Sequence, residues 1–154
     1  MTWVLHKTFV VCDLFTCHKI GTLDNYKRCG SCKYNYYCSK ECQVNHWCDH
    51  KSVCKHLCEY KYGDVINKVI ETINKDTKDY TDKLVFVNYN SMDDIELKSM
   101  DFIEVRNRFI TTEIMAFGGI SFTRKIGNYL VDNSIREFVI ICARGSKSIL
   151  VKST

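Results

Sequence analysis

Residues 38–54 read CSKECQVNHWCDHKSVC, with four cysteines and two histidines in seventeen positions. Thiols and imidazoles at this density can close disulfides, activate one nucleophilic sulfur, or ligate metal ions. Spacing separates these options. Cys29-Gly-Ser-Cys32 is a CxxC, whose tight turn lets two sulfurs reach one ion at about 2.3 Å. Cys38 and Cys42 are four residues apart, as are His50 and Cys54, and each pair can share one helix face. Cys12 and Cys17 form a fourth, wider pair. Four pairs make eight ligands, enough for two closed tetrahedral zinc sites, and neighbouring pairs can combine sequentially or interleave. A thiol hydrolase needs one activated cysteine and one base, which paired thiols fit badly.

The elements that must position these groups divide the chain unevenly. Nine of the 10 cysteines lie between Cys12 and Cys58, and only Cys142 stands apart. The front is poor in large apolar side chains and rich in turns such as IGTLDN and CGSC. It therefore needs a crosslink to fold. Residues 2–11 read as a short apolar strand leading into Cys12. Ser39 is placed to cap a helix over 39–47, and His50 and Cys54 sit on a second short helix. Beyond residue 58 the patterning is that of an α+β domain. A helix opens at Gly63-Asp64 and ends near Lys75-Asp76, with Val65, Ile66, Val69, Ile70 and Ile73 on one face. KLVFVNY (83–89) reads as a strand. Residues 100–117 fit helix and strand about equally, Gly118-Gly119 breaks the segment, and Asp93, Asp94 and Glu96 read as solvated carboxylates in a turn. Two strands, 137–143 and 148–152, flank an Arg-Gly-Ser-Lys turn. The expected organisation is 1–58, a zinc finger with a short N-terminal strand, and 59–154, an α+β domain.

The run Cys29-x2-Cys32-x5-Cys38-x3-Cys42-x7-His50-x3-Cys54, with Tyr37-Cys38-Ser39, Cys42-Gln43, Trp47 and His50-Lys51, closely resembles the MYND-type zinc finger over about residues 12–54. The resemblance implies a small cross-braced finger with interleaved pairs. One zinc takes Cys12, Cys17, Cys38 and Cys42, and the other takes Cys29, Cys32, His50 and Cys54. The first pair, CDLFTC, is wider than the family's usual CxxC, so Asp13 and His18 are alternative ligands on that loop. The resemblance also implies a shallow groove for short proline-containing peptides, lined by Gln43 and Trp47. An indole stacks on a proline ring and an amide bonds a peptide carbonyl; the plainer reading makes Trp47 a core plug. Tyr34, Tyr36 and Tyr37 are either aromatic surface or packing between the zinc sites. Cys48 reads as a surface or half-buried thiol and Cys58 as packing beside Cys54. Cys142 reads as a core residue, His46 as solvated, and His6, His18 and His56 as surface groups.

Charge bears on the partner. Formal charge is +4. Seven ligand thiolates contribute −7 and two zinc ions +4, leaving about +1. Within 12–54 six Lys/Arg face four Asp/Glu, so the loaded finger carries about −1. A finger near neutrality lacks the footprint of a nucleic-acid binder, which stays the alternative to a protein partner. No HExxH, GxGxxG or P-loop is present. A SET methyltransferase domain, which some MYND proteins carry, does not fit 59–154, and a non-enzymatic role is expected. No secretory leader and no span of about 18 apolar residues is read. An intracellular, non-secreted chain without a membrane segment is the expectation, and in that reducing compartment clustered cysteines hold metal rather than disulfides.

Overall fold

The computed structural model describes residues 3–58, 62–91, 93–108, 119–143 and 146–152. Six strands form one mixed sheet: β1 (Trp3–Val11), β2 (Ile20–Thr22), β5 (Lys83–Ser91), β6 (Asp94–Asp101), β7 (Phe138–Ala143) and β8 (Ser146–Lys152). Their order is β2-β1-β8-β7-β5-β6, and every neighbouring pair is antiparallel except β5–β7. A parallel pair cannot be closed by a tight turn. The chain between β5 and β7 accordingly carries β6, α3 (Phe102–Asn107) and α4 (Gly119–Asp132).

Strand alternation explains the layering. In β7, FVIICA, all six residues are buried, as expected of a central strand covered on both faces. Phe138, Ile140 and Cys142 point to one side with Leu84, Phe86 and Ile149, against Phe102, Phe122, Ile126 and Leu130 of α3 and α4. Val139, Ile141 and Ala143 point to the other with Val85, Val87 and Leu150. There they meet Val65, Ile66, Val69 and Ile73 of α2 (Tyr62–Lys75). At Gly127 of α4 an added Cβ would lie 2.8 Å from Cδ of Arg106, so glycine lets α3 approach closely.

The cysteine-rich segment adds a two-stranded ribbon, β3 (Lys27–Arg28) with β4 (Tyr36–Tyr37), and one helix, α1 (Lys40–Leu57). Its Cys29, Cys32, Tyr34, Tyr36 and Cys54 belong to the same buried cluster as Trp3, Val10 and the α2 residues. The strand assigned above to residues 1–58 pairs with β8, so one sheet draws on both sides of residue 58.

Several elements depart from the sequence reading. The two short helices expected at 39–47 and around His50 are one continuous helix of 18 residues, because nothing between Trp47 and His50 breaks helical hydrogen bonding. Asp94 and Glu96, read with Asp93 as carboxylates in a turn, lie instead on a strand, Asp94–Asp101, in which Ile95 and Leu97 are half-buried between exposed Asp94, Glu96 and Lys98. No element was expected over 119–132, where α4 opens at Gly119; the break expected at Gly118-Gly119 falls partly outside the described residues. The Arg-Gly-Ser-Lys turn and residues 109–117 of the ambiguous segment fall wholly or partly outside the described residues.

Candidate metal centre

β1 delivers the first ligand. Val10 and Val11 are fully buried, and the chain leaves the sheet directly into Cys12. The Cys12 N–H donates to the Lys19 carbonyl at 2.8 Å, closing the loop, and the Cys17 and His18 N–H groups fold back on the Leu14 carbonyl. His18 ends that turn in the left-handed region, with φ 52°. Two anchors tie the loop to the opposite end of the chain. Lys125 of α4 donates to the Cys17 carbonyl, and the buried Lys147 of β8 pairs with Asp13 at 3.7 Å.

The CxxC turn supplies the second set. The Lys33 N–H donates to the Cys29 carbonyl at 3.0 Å, with Lys33 in the left-handed region at φ 62°. β3 and β4 then return the chain to Ser39, whose hydroxyl accepts the Cys42 N–H at 3.2 Å and caps α1 as its type predicts. Cys42, His50 and Cys54 all project from this helix. The first faces the Cys12 loop, and the other two face the CxxC turn.

The structure brings Cys12, Cys17, Cys38 and Cys42 together in one cluster and Cys29, Cys32, His50 and Cys54 in another. Within each, the candidate ligand atoms lie within 4.8 Å of one another. The pairs interleave, which spacing alone had left open. Edge lengths test the fit. A regular zinc tetrahedron with bonds of about 2.3 Å to sulfur and about 2.0 Å to nitrogen has S···S edges near 3.8 Å and S···N edges near 3.5 Å. Observed Sγ···Sγ separations are 3.6 Å for Cys17–Cys38 and Cys38–Cys42 and 3.7 Å for Cys29–Cys54. Cys32 Sγ to His50 Nε2 is 3.5 Å. Sulfurs at 3.6 Å are far from the roughly 2.05 Å of a disulfide, and all ten cysteines are free. Both clusters fit zinc, which supplies the crosslink that the front segment requires.

Electrostatics agree. Burial pushes the Cys54 thiol up to about 12 and holds Cys12 and Cys32 above the ordinary thiol range. A bound dication outweighs that cost, because a coordinating thiol is deprotonated outright. At Cys29 burial also raises the pKa, but backbone hydrogen bonds from Cys32 and Ser31 bring it below the ordinary value. Burial, and then His46, lower the pKa of His50, which keeps its imidazole neutral and fit to ligate. The clusters differ in exposure: all four groups of the His50 set are buried, whereas Cys17, Cys38 and Cys42 are half-buried.

The alternative ligands have other duties. Asp13 accepts the Tyr36 N–H at 2.7 Å as well as pairing with Lys147. Burial raises its carboxyl to about 7 against the pull of that lysine. His18, expected at the surface, is 1% exposed, with its ring edge-on to Phe122 at 5.6 Å. The left-handed turn aims it inward onto α4, a direction that spacing does not encode. Burial, with Lys147 and Lys125 nearby, lowers its pKa to about 4. His46 is half-buried rather than solvated. Its Nδ1 lies 2.7 Å from the Tyr37 hydroxyl, and its ring stacks on His50 at 5.7 Å. Tyr34, Tyr36 and Tyr37 are buried, so they pack the finger. Cys142 is buried, and Cys48 and Cys58 are exposed. The side chains of His6 and His56 lie outside the described ones.

Gln43 is half-buried and Trp47 is 49% exposed on the outer face of α1. The indole meets His50 edge-on at 5.9 Å, so it leans on one zinc cluster while keeping half of its surface in solvent. Val44, one turn before Cys48, is 61% exposed. No helix among the described residues is long and apolar enough to cross a membrane.

Comparison with known proteins agrees with this geometry. The family profile described as the MYND finger matches residues 12–54. No curated protein and no solved structure matches the chain. Interleaved pairs, tetrahedral edges and the profile coincide on the same residues, and residues 12–54 are a MYND-type zinc finger built for two zinc ions.

Proposed function

We propose that the chain is an intracellular protein-interaction module, without catalytic activity of its own, whose finger captures a short proline-containing peptide of a partner. MYND fingers generally bind proteins. The observation that carries the finer reading is the exposure of Trp47, 49%, beside exposed Val44 and half-buried Gln43 on one helix. A plug in the core would be covered, whereas an indole held by the His50 ring and open to solvent suits stacking on a proline. Each cluster offers four candidate ligands, enough to complete a tetrahedral zinc, which supports a structural rather than a catalytic metal.

The test is titration of proline-containing and proline-free peptides into the zinc-loaded protein and its Trp47→Ala variant, with zinc counted in both. The reading expects proline-dependent binding that Trp47→Ala weakens about tenfold or more while two zinc ions remain. Loss of zinc together with binding would return Trp47 to a structural role. Salt-sensitive binding of duplex DNA without peptide binding would install the nucleic-acid alternative.

A further inference from the structure

β6 is the outermost strand of the six-stranded sheet, and its eight residues, DIELKSMD, contain neither proline nor glycine. Its ladder with β5 runs without irregularity from Lys83–Asp101 to Tyr89–Ile95. Natural sheets usually blunt such an edge by shortening it, bulging it or covering it. The opposite edge, β2, follows that rule with three residues. β6 is long and regular, and among the described residues no strand pairs with its outer side.

We propose that the β6 edge pairs antiparallel with β6 of a second copy of this chain, about a two-fold axis at Leu97. The charge pattern selects that occupant and that register. Pairing centred on Leu97 sets Glu96 opposite Lys98 of the copy, and Lys98 opposite its Glu96, on the exposed face. It sets Ile95 opposite Ser99 on the other face and stacks the two Leu97 side chains. Centring on Lys98 opposes the two lysines at the axis, and centring on Ile95 opposes Asp94 to Glu96 twice. Centring on Glu96 sets two Asp94–Lys98 pairs against a Glu96–Glu96 clash, so only the Leu97 register combines two attractive pairs with no opposed like charges within the strand. A parallel in-register pair would oppose every charge to itself. Charges on an edge normally discourage pairing, but here they alternate in sign so as to complement their own reversed copy. Ile95 and Leu97 are only half-buried against the core and gain cover from the partner strand. Asp94 and Lys98 also interact within their own chain, and the pairing requires only that Lys98 present its charge on the exposed face. Asp101 caps α3 through the Glu104 N–H at 2.9 Å, which fixes the end of the pairing segment. One paired strand is a small interface, so the dimer is weak and exchanging. It carries two fingers, which would raise avidity for any partner with repeated sites, and it stands whether or not the finger takes a peptide.

Sedimentation velocity on the full zinc-loaded chain, from micromolar to high-micromolar concentration, tests the pairing. Wild type is expected to show a monomer–dimer equilibrium that weakens with salt. Glu96→Lys and Lys98→Glu each turn two attractive pairs into two repulsive ones and should raise the dissociation constant about tenfold or more. The double variant Glu96→Lys/Lys98→Glu restores complementarity and should dimerise like wild type. That restoration also separates lost pairing from lost folding, because the exchanged charges sit on the same strand. A wild type that stays monomeric throughout overturns the proposal. So does a dimer indifferent to either single reversal, or one that the double variant fails to restore.

Discussion

His46 and His50 lie one helical turn apart on α1 with rings stacked 5.7 Å apart, yet only His50 joins a zinc cluster. Replacing each by alanine should therefore separate ligation from packing. Structural zinc in small fingers contributes an apparent 10–16 kcal/mol, and one of four ligands carries about a quarter of that, about 3 kcal/mol. His50→Ala should thus weaken the Cys29/Cys32/Cys54 site by roughly a hundredfold or more. His46→Ala leaves all eight ligands in place. Its cost falls on Tyr37, fully buried, whose hydroxyl loses its 2.7 Å partner. An orphaned buried hydroxyl costs about 1–3 kcal/mol. Both variants should melt earlier than wild type, so thermal stability does not distinguish them, but the metal does. Native mass spectrometry should count two zinc ions in wild type and in His46→Ala, and one in His50→Ala. Competition with a chromophoric chelator should give the affinity loss, and His50→Cys, which supplies a thiolate, should recover the second ion. Retention of both ions at wild-type affinity by His50→Ala, or loss of one by His46→Ala, would refute the ligand assignment.

Two other expectations follow from the same geometry. The all-cysteine cluster carries net −2 when loaded and has three half-buried members, whereas the His50 cluster carries −1 and all four of its members are buried. N-ethylmaleimide should therefore release one zinc early and mark Cys17, Cys38 and Cys42 before Cys29, Cys32 and Cys54, as peptide mapping would show; simultaneous labelling would count against it. The Asp13–Lys147 pair joins the Cys12 loop to β8 inside the protein, with side-chain exposures of 3% and 8%. Breaking a buried pair typically costs about 3–5 kcal/mol, so Lys147→Met should lower the melting temperature strongly, and Asp13→Asn/Lys147→Met should cost less than the two single changes combined.

What the sequence made legible follows from how far each signal reaches along the chain. Zinc ligation is a short-range code: a CxxC turn and two i, i+4 pairs state their own geometry, and the interleaving followed from the family likeness rather than from spacing. α2, β5 and the last two strands were equally readable, because their apolar periodicity spans a whole element. β6 and α4 were missed although the patterns were present. Ile95 and Leu97 alternate with charges, and Phe122, Ile126 and Leu130 recur every four residues. Acidic residues near a turn and a pair of glycines masked both signals. The inward turn of His18 and the pairing of Asp13 with Lys147 were not readable at all. Each depends on a partner more than a hundred residues away: Phe122 and Lys125 on α4, and Lys147 on β8. Those contacts make the finger part of the sheet rather than an appendage. β1 runs from the sheet core into the first ligand without a linker, and Cys29, Cys32 and Cys54 share a buried cluster with α2. Metal loss at either site should consequently be felt in the α+β layers, since the energy that orders the finger also closes one wall of their core.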